Sequence, residues 1–332
     1  MIDLDGAEIL VTGGTGSFGQ RFIRKLLQDH NPRRVVVFSR DEMKQYEMAQ
    51  LPWIDEQKVR FFIGDVRDRD RLEMAMRGVQ YVIHAAALKH VPAAEYNPFE
   101  CIHTNVLGAE NVVQAAIRTG ISRLVALSTD KAANPINLYG ASKLASDKIF
   151  SAANHLSGRD GTRFSVVRYG NVVGSRGSVI PFFRRLINEG APALPITDER
   201  MTRFWITLDK GVDFVLSCLS TMQGGEIFVP KIPSMKVTDL ARCLAPEMRQ
   251  EIVGIRPGEK LHEVMITEDD SRMTVELHDR YVIQPAFRWW SNETMVIDGA
   301  TPVPDGFRYA SDTNDDWLDG DGLLRLLAAL EQ

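Results

Sequence analysis

The sequence predicts an α/β protein: a Rossmann-like, doubly wound parallel sheet followed by a smaller mixed C-terminal lobe. Short β-branched runs alternate with helix-period segments through the first half of the chain, the pattern of a parallel sheet covered on both faces. A glycine-rich turn, Thr12-Gly13-Gly14-Thr15-Gly16-Ser17-Phe18-Gly19, joins the first apolar run to the first helical segment. After about Asn171 the alternation loosens into short apolar stretches among prolines 181, 192, 195, 230, 233 and 257.

In chain order, strands are predicted over 9–12, 35–39, 59–64, 81–85, 124–128 and 164–168, and helices over 17–28, 69–76, 98–118 and 139–154. Asp68 is placed to cap the second of these helices. The stretch 301–322, rich in Asp and Gly, reads as mobile or packed on a partner.

With 332 residues the chain can bury roughly three-quarters of the surface its unfolded form exposes, so no disulfide or structural metal is required. Cys101, Cys218 and Cys243 are scattered and odd in number, which reads as reduced thiols in the cytoplasm. His262-Glu263 has no second histidine at zincin distance, and no metal site is predicted. The 39 basic and 44 acidic residues give a net charge of −5, which excludes a global basic field for nucleic acid or an anionic membrane. The acidic start lacks the pattern of a signal peptide, and no apolar run approaches the roughly 20 residues of a bilayer helix.

The glycine turn has a specific use. Gly13, Gly16 and Gly19 permit a tight turn, close backbone approach to a pyrophosphate and close helix–strand packing, with Thr15, Ser17 and Phe18 alongside. The helix that follows offers unpaired N–H groups and a positive dipole end. About twenty residues later the second strand ends in Ser39, Arg40 and Asp41, with Lys44 one turn on. A hydroxyl, a guanidinium and an ammonium suit the 2′-phosphate of NADP; Asp41 leaves NAD open. Asp65 and Val66 are placed to flank the adenine, and Ala85 ends the fourth strand where the cofactor passes.

Tyr139 and Lys143 lie four residues apart on a predicted helix, so they share one face. A nearby ammonium lowers a tyrosine pKa and makes the phenol a usable base. The preceding strand runs into Thr129-Asp130-Lys131, an acid and a base side by side at a strand end.

This arrangement resembles the extended short-chain dehydrogenase/reductase superfamily and, within it, the nucleotide-sugar 4,6-dehydratases. Retaining members carry Asp-Glu after the threonine; Asp130-Lys131 resembles the inverting branch. The blocks from His84 to Pro92, from Asn134 to Tyr139 and from Arg168 to Gly177 agree, and so do Met201 to Trp205 and Arg256 to Lys260. The resemblance runs from about Ile9 to Pro285. A related group of 5-inverting dehydratases shares Thr-Asp-Lys but lacks the tyrosine.

The resemblance implies a UDP-sugar substrate, UDP-N-acetylglucosamine, and a tightly held NADP regenerated at each turnover, in the opening step of pseudaminic acid synthesis. Tyr139, helped by Lys143, would take the O4 proton. Asp130 would protonate the departing 6-hydroxyl, Lys131 with a depressed pKa would take the C5 proton, and Thr129 would bond O4. Lys89, Ser128 and Val172 come over as further cofactor contacts. Lys89, Asn171, Arg176, Val179, Arg203, Arg256, Glu259 and Tyr309 come over as substrate contacts. Residues 1–171 then form the NADP-binding domain with the catalytic residues. Residues 172–332 form mainly the substrate lobe, with some segments returning to the first domain. A homo-oligomer is expected by analogy. Two competing readings are a nucleotide-sugar C4 epimerase, which needs no acid–base pair to expel water, and a catalytically silent NADP-binding regulator.

Overall fold

The structure, a computed structural model, describes residues 2–174, 178–287 and 295–328. Its centre is a ten-stranded sheet. Six strands are parallel: β1 (Glu8–Thr12), β2 (Arg34–Ser39), β3 (Val59–Ile63), β4 (Tyr81–His84), β5 (Arg123–Thr129) and β6 (Arg163–Tyr169). They lie in the order β3-β2-β1-β4-β5-β6, the doubly wound arrangement, so a crevice opens beyond the carboxyl ends of β1 and β4 where the order reverses. Every residue of β1 is buried, as a strand covered on both faces requires.

The connecting helices are α1 (Ser17–Asp29), α2 (Glu42–Ala49), α3 (Arg69–Met76), α4 (Val91–Tyr96), α5 (Pro98–Ile102), α6 (Gly108–Thr119) and α7 (Leu138–Ser157). Asp68 caps α3 by accepting from the Arg71 N–H, and Asn137 caps α7 by accepting from that of Gly140. The segment predicted as one helix over 98–118 is broken by a π-turn at His103–Leu107, and α2 and α4 were not predicted. The short α2 starts directly at the strand end, with Asp41 as its cap.

Beyond Asn171 the chain divides its residues between two places. Ile227–Pro230 extends the sheet in parallel beside β6, and Arg280–Ile283, Thr274–Glu276 and Thr301–Pro302 follow antiparallel. Leu208–Thr221 packs on α1, joined by Arg21–Asp209 and by Lys25–Asp213 at 3.1 Å. The rest builds a small lobe around Trp205, Phe183, Leu194, Met235, Leu240 and Leu323. The 301–322 stretch is packed by its own chain: Tyr309–Ala310 pairs with Val264–Ile266, and Trp317 bridges to Ser234. Its Asp and Gly residues lie between these short pairings.

Candidate active site

The glycine turn is built for close approach. Gly13 sits at φ +66°, and a Cβ there would stand 2.9 Å from the Ala86 nitrogen. A Cβ at Gly19 would stand 2.5 Å from the Gly14 Cα, so only glycine lets α1 start this near the turn. The α1 N-cap is Gly16 and the first turn carries no acidic side chain, which leaves the amide end open to an anion. These residues fit a dinucleotide diphosphate. At the end of β2 the buried Ser39 hydroxyl lies 3.0 Å from that of Thr15. Arg40 is exposed and only loosely paired, 3.7 Å from Asp65. Asp41 is committed elsewhere: one oxygen accepts from the Lys44 N–H and the other lies 3.0 Å from the Lys44 ammonium.

Asp65 is held at 2.8 Å by Arg67, and Val66 is buried under Gly108. The backbone N–H groups of Ala85 and Ala86 donate to the Thr12 hydroxyl, which fixes the floor of the crevice. From the π-turn, the buried Asn105 accepts from Leu88 N–H and donates to Leu88 O and to the Ser142 hydroxyl. It thereby ties the loop carrying Lys89, whose pKa burial lowers, to α7. The interruption of the helix is what aims Asn105 at this loop, and π-turns favour functional sites.

The catalytic candidates meet where β5 ends. Asp130–Ala132 forms a 3₁₀ turn whose N-cap is Thr129. Thr129 donates to Asp130 Oδ1 at 2.8 Å, and Lys131 Nζ donates to the same oxygen at 3.1 Å. Asp130 is 1% exposed, and its Oδ2 has no partner among the described residues. Tyr139 and Lys143 follow on the first turns of α7, both buried. A Cβ on Gly140 would collide with the Lys131 carbonyl, so glycine lets α7 pack against the turn.

Burial and the Glu263 carboxylate push Asp130 up, toward the protonated form that an acid needs. Burial drives Tyr139 up to about 12, although Lys131 and Thr129 pull it down in part. The expected aid from Lys143 is therefore not a lowered phenol: Lys143 is itself lowered by burial, and its ammonium donates to the Leu127 carbonyl at 2.7 Å. Lys131 also departs from expectation. Burial alone would depress it, but Asp130 and Glu263 outweigh burial and raise it.

Glu263 was not singled out as a catalytic candidate. It lies at the foot of the lobe, 1% exposed, with Oε1 3.1 Å from the Lys131 ammonium and 3.6 Å from Arg203 Nε. Sequence alone offers only its place beside His262. Lys260 was also missed; it donates to the Ala133 carbonyl and sews the lobe to the catalytic turn, as Asn137 does by donating to Gly258 O at 2.8 Å.

The substrate candidates separate. Asn171 and Val172 pair with Trp205 and Ile206, and Val179 opens the helix Val179–Asn188 at the lobe's edge. Arg256 is exposed and lies 3.8 Å from Glu259. Arg203 is instead turned inward: its guanidinium donates to the carbonyls of Thr202, Lys260 and Leu261. Tyr309 is likewise a core residue, its hydroxyl accepting from Ile232 N–H and donating to Ile232 O. Ser128 is buried at the end of β5. Arg176 lies outside the described residues. Among the described residues no group of side chains could hold a metal ion, and no helix is long and apolar enough to cross a membrane.

Fold and site together define a Rossmann-type domain of the extended short-chain dehydrogenase/reductase class, whose solved members include dehydratases and epimerases. Residues 9–285 match the polysaccharide biosynthesis protein family, and the chain belongs to it. It is 55% identical over 328 residues to a UDP-N-acetylglucosamine 4,6-dehydratase (inverting) of Campylobacter jejuni, covering 97% of this chain and 98% of that protein. It is 41% identical over 302 residues to a UDP-glucose 4-epimerase of Rickettsia canadensis, with coverages of 89% and 88%. Among solved structures, Pen from Bacillus thuringiensis superposes with a TM-score of 0.90, at 34% identity and 99% of both chains. DesIV of Streptomyces venezuelae, a dTDP-glucose 4,6-dehydratase with NAD bound, gives 0.66 at 26% identity over 76% of this chain and 86% of its own.

Proposed function

We propose that the chain is a UDP-N-acetylglucosamine 4,6-dehydratase that inverts C5 and opens pseudaminic acid synthesis. The observation that carries this reading is the turn Thr129-Asp130-Lys131 beside Tyr139, with Asp130 buried, one of its oxygens unpartnered among the described residues and its pKa raised. The 55% identity to a protein of that name supports it.

NADP, when bound, would supply the hydride acceptor for C4 and, once reduced, the hydride donor for C6. The residues fit it: the glycine turn for the diphosphate, and Ser39, Arg40 and Lys44 for the 2′-phosphate, with Asp41 spent as a helix cap. Tyr139 takes the O4 proton, and Lys143 holds the cofactor's ribose. Thr129 bonds O4. Oxidation at C4 acidifies the C5 proton, which Lys131 receives, while Asp130 gives its proton to the 6-hydroxyl and water leaves; as hydride reaches C6, a proton equivalent to the one Tyr139 took from O4 reaches C5 on its opposite face and inverts it. Before it can receive that proton, Lys131 must give up its own. The hydrogen bond to Asp130 offers the route: one transfer leaves a neutral acid and a neutral amine together.

Asn171 and Lys89 contact the sugar or its phosphates, Val179 lines the pocket, and Arg256 with Glu259 and Arg176 meets the nucleotide. A homo-oligomer belongs to the same reading, supported by the exposed Tyr96 and Phe99 on neighbouring short helices. A C4 epimerase, the name carried by the Rickettsia relative, would use Tyr139 and Lys143 but has no use for Asp130 and Lys131. Incubating the protein and NADP with UDP-N-acetylglucosamine separates the two. Loss of one water by mass, with an inverted C5 by NMR, is expected; an unchanged mass with inversion at C4 would make the protein an epimerase.

A further inference from the structure

The buried carboxylate of Glu263 has no part in the proton transfers assigned above, yet it touches the residue on which they turn. Its Oε1 lies 3.1 Å from Lys131 Nζ, which is also 3.1 Å from Asp130 Oδ1, so the ammonium pairs with two carboxylates that come from different parts of the fold. Glu263 is itself fixed. Its backbone N–H donates to the Ser311 hydroxyl, its carbonyl accepts from the Ser311 N–H, and Arg203 Nε stands 3.6 Å from the same Oε1. Its Oε2 is buried with no partner among the described residues. A buried carboxylate this costly in a purely structural role would be expected to pair fully with Arg203, and Arg203 spends its terminal nitrogens on carbonyl oxygens instead.

We propose that Glu263 is a positioning residue for the elimination: it holds Lys131 against Asp130 and fixes the pH range in which that pair carries one shared proton. This inference rests on the dehydratase reading. The pair works only in that one-proton state, with the proton on Asp130 and the amine of Lys131 free. A second proton disables the base, and loss of the first disables the acid. A negative charge beside the pair disfavours losing either proton, so it sets both limits at higher pH than a neutral neighbour would.

Other charged groups also face the cluster. Arg203 comes from the strand Thr202–Ile206, Lys260 from the loop before Glu263, and Tyr139 from α7; Arg168 of β6 acts through Lys260, and His262 lies near Arg203. Burial on its own would raise Glu263, but Lys131, Arg203 and Lys260 together lower it, so it is ionised throughout the working range. Once Lys131 has taken the C5 proton, the Glu263 charge also stabilises the resulting ammonium.

The test compares the pH profile of kcat for wild type, Glu263→Gln and Glu263→Asp with UDP-N-acetylglucosamine, and follows reduced-nicotinamide absorbance in single turnover. In Glu263→Gln both limbs move about one unit toward acid, since a neighbouring charge is worth roughly that much. Its kcat falls about tenfold or more. Reduced cofactor builds up because C4 oxidation does not involve Glu263. In Glu263→Asp the limbs stay where wild type has them, although the shorter side chain lowers kcat. A Glu263→Gln profile that superposes on wild type, or Glu263→Asp limbs that move to acid, overturns the inference. If Glu263→Gln does not fold, the Glu263→Asp limbs decide alone. Wild type that releases no water from this substrate overturns the functional reading, and that outcome is seen before any variant is made.

Discussion

On the proposed reading, Asp130 is the residue on which dehydration and epimerisation part. Its Oδ1 accepts from Thr129 and Lys131, and its Oδ2 has no partner among the described residues. Asp130→Asn keeps the shape and removes the acid. Proton donation by a placed group contributes roughly 10²–10⁴-fold, so kcat for water loss should fall by at least about a hundredfold. On the same reading the first hydride transfer needs only Tyr139 and Lys143 and should persist, leaving reduced nicotinamide visible by absorbance after substrate is added. Turnover at the wild-type rate would remove Asp130 from the chemistry. At this scale the grouping of Asp130, Lys131, Tyr139 and Lys143 was legible because they sit within fifteen residues of one another. Glu263 was not legible, because its meaning is a distance of 3.1 Å across the fold. Arg203 and Tyr309 show the complementary limit. A guanidinium or phenol in a matching segment looks like a ligand contact until its partners, backbone carbonyls and a core amide, are seen.

Among the elements, the 3₁₀ turn and the first turn of α7 form one unit, and Gly140 is the joint between them. Replacing it with alanine would improve helix propensity by about 1 kcal/mol. The added methyl would drive into the Lys131 carbonyl, and overpacking of this kind costs about 1–3 kcal/mol. The clash wins, and the turn moves rather than the long, well-packed helix. Gly140→Ala is expected to lower kcat tenfold or more and to lower the melting temperature by a few degrees. Binding of NADP, measured by titration, should weaken less than kcat falls, because the glycine turn that takes the diphosphate opens α1 and not α7, although Tyr139 and Lys143 flank the joint. Full activity in this variant would show that the turn tolerates displacement. The parallel strands were legible to within a residue or two because each is a buried apolar run bounded by turn residues. The π-turn was not. It follows from Asn105 reaching Leu88 and Ser142, contacts that no periodicity encodes.

The whole molecule does not divide where the composition changes. The glycine turn and catalytic residues all precede Asn171, which invites the view that residues 1–171 are a self-standing cofactor domain. The sheet contradicts that view, since β6 is covered by Ile227–Pro230 and three further strands lie beyond it. The outer face of the sheet also depends on later residues. Leu208–Thr221 packs on α1, and Arg123 at the start of β5 donates to the Leu219 and Ser220 carbonyls at the end of that helix. Val212, Val215, Cys218 and Leu219 share one core with Phe22, Ile23 and Leu26. A chain ending at residue 171 would therefore present β6 as a long unpaired edge and bare the α1 side of the sheet, the two features that drive association through strand edges and apolar patches. Such a fragment is expected to aggregate or to remain without a cooperative thermal transition, and to bind NADP at least a hundredfold more weakly than the full chain. Size-exclusion chromatography, circular dichroism melting and cofactor titration on the fragment and the full chain side by side would read all three. A monomeric fragment that melts cooperatively and binds NADP as the full chain does would mean that the lobe is an addition to a finished domain. The shared sheet and shared core argue that it is part of the domain's own closure.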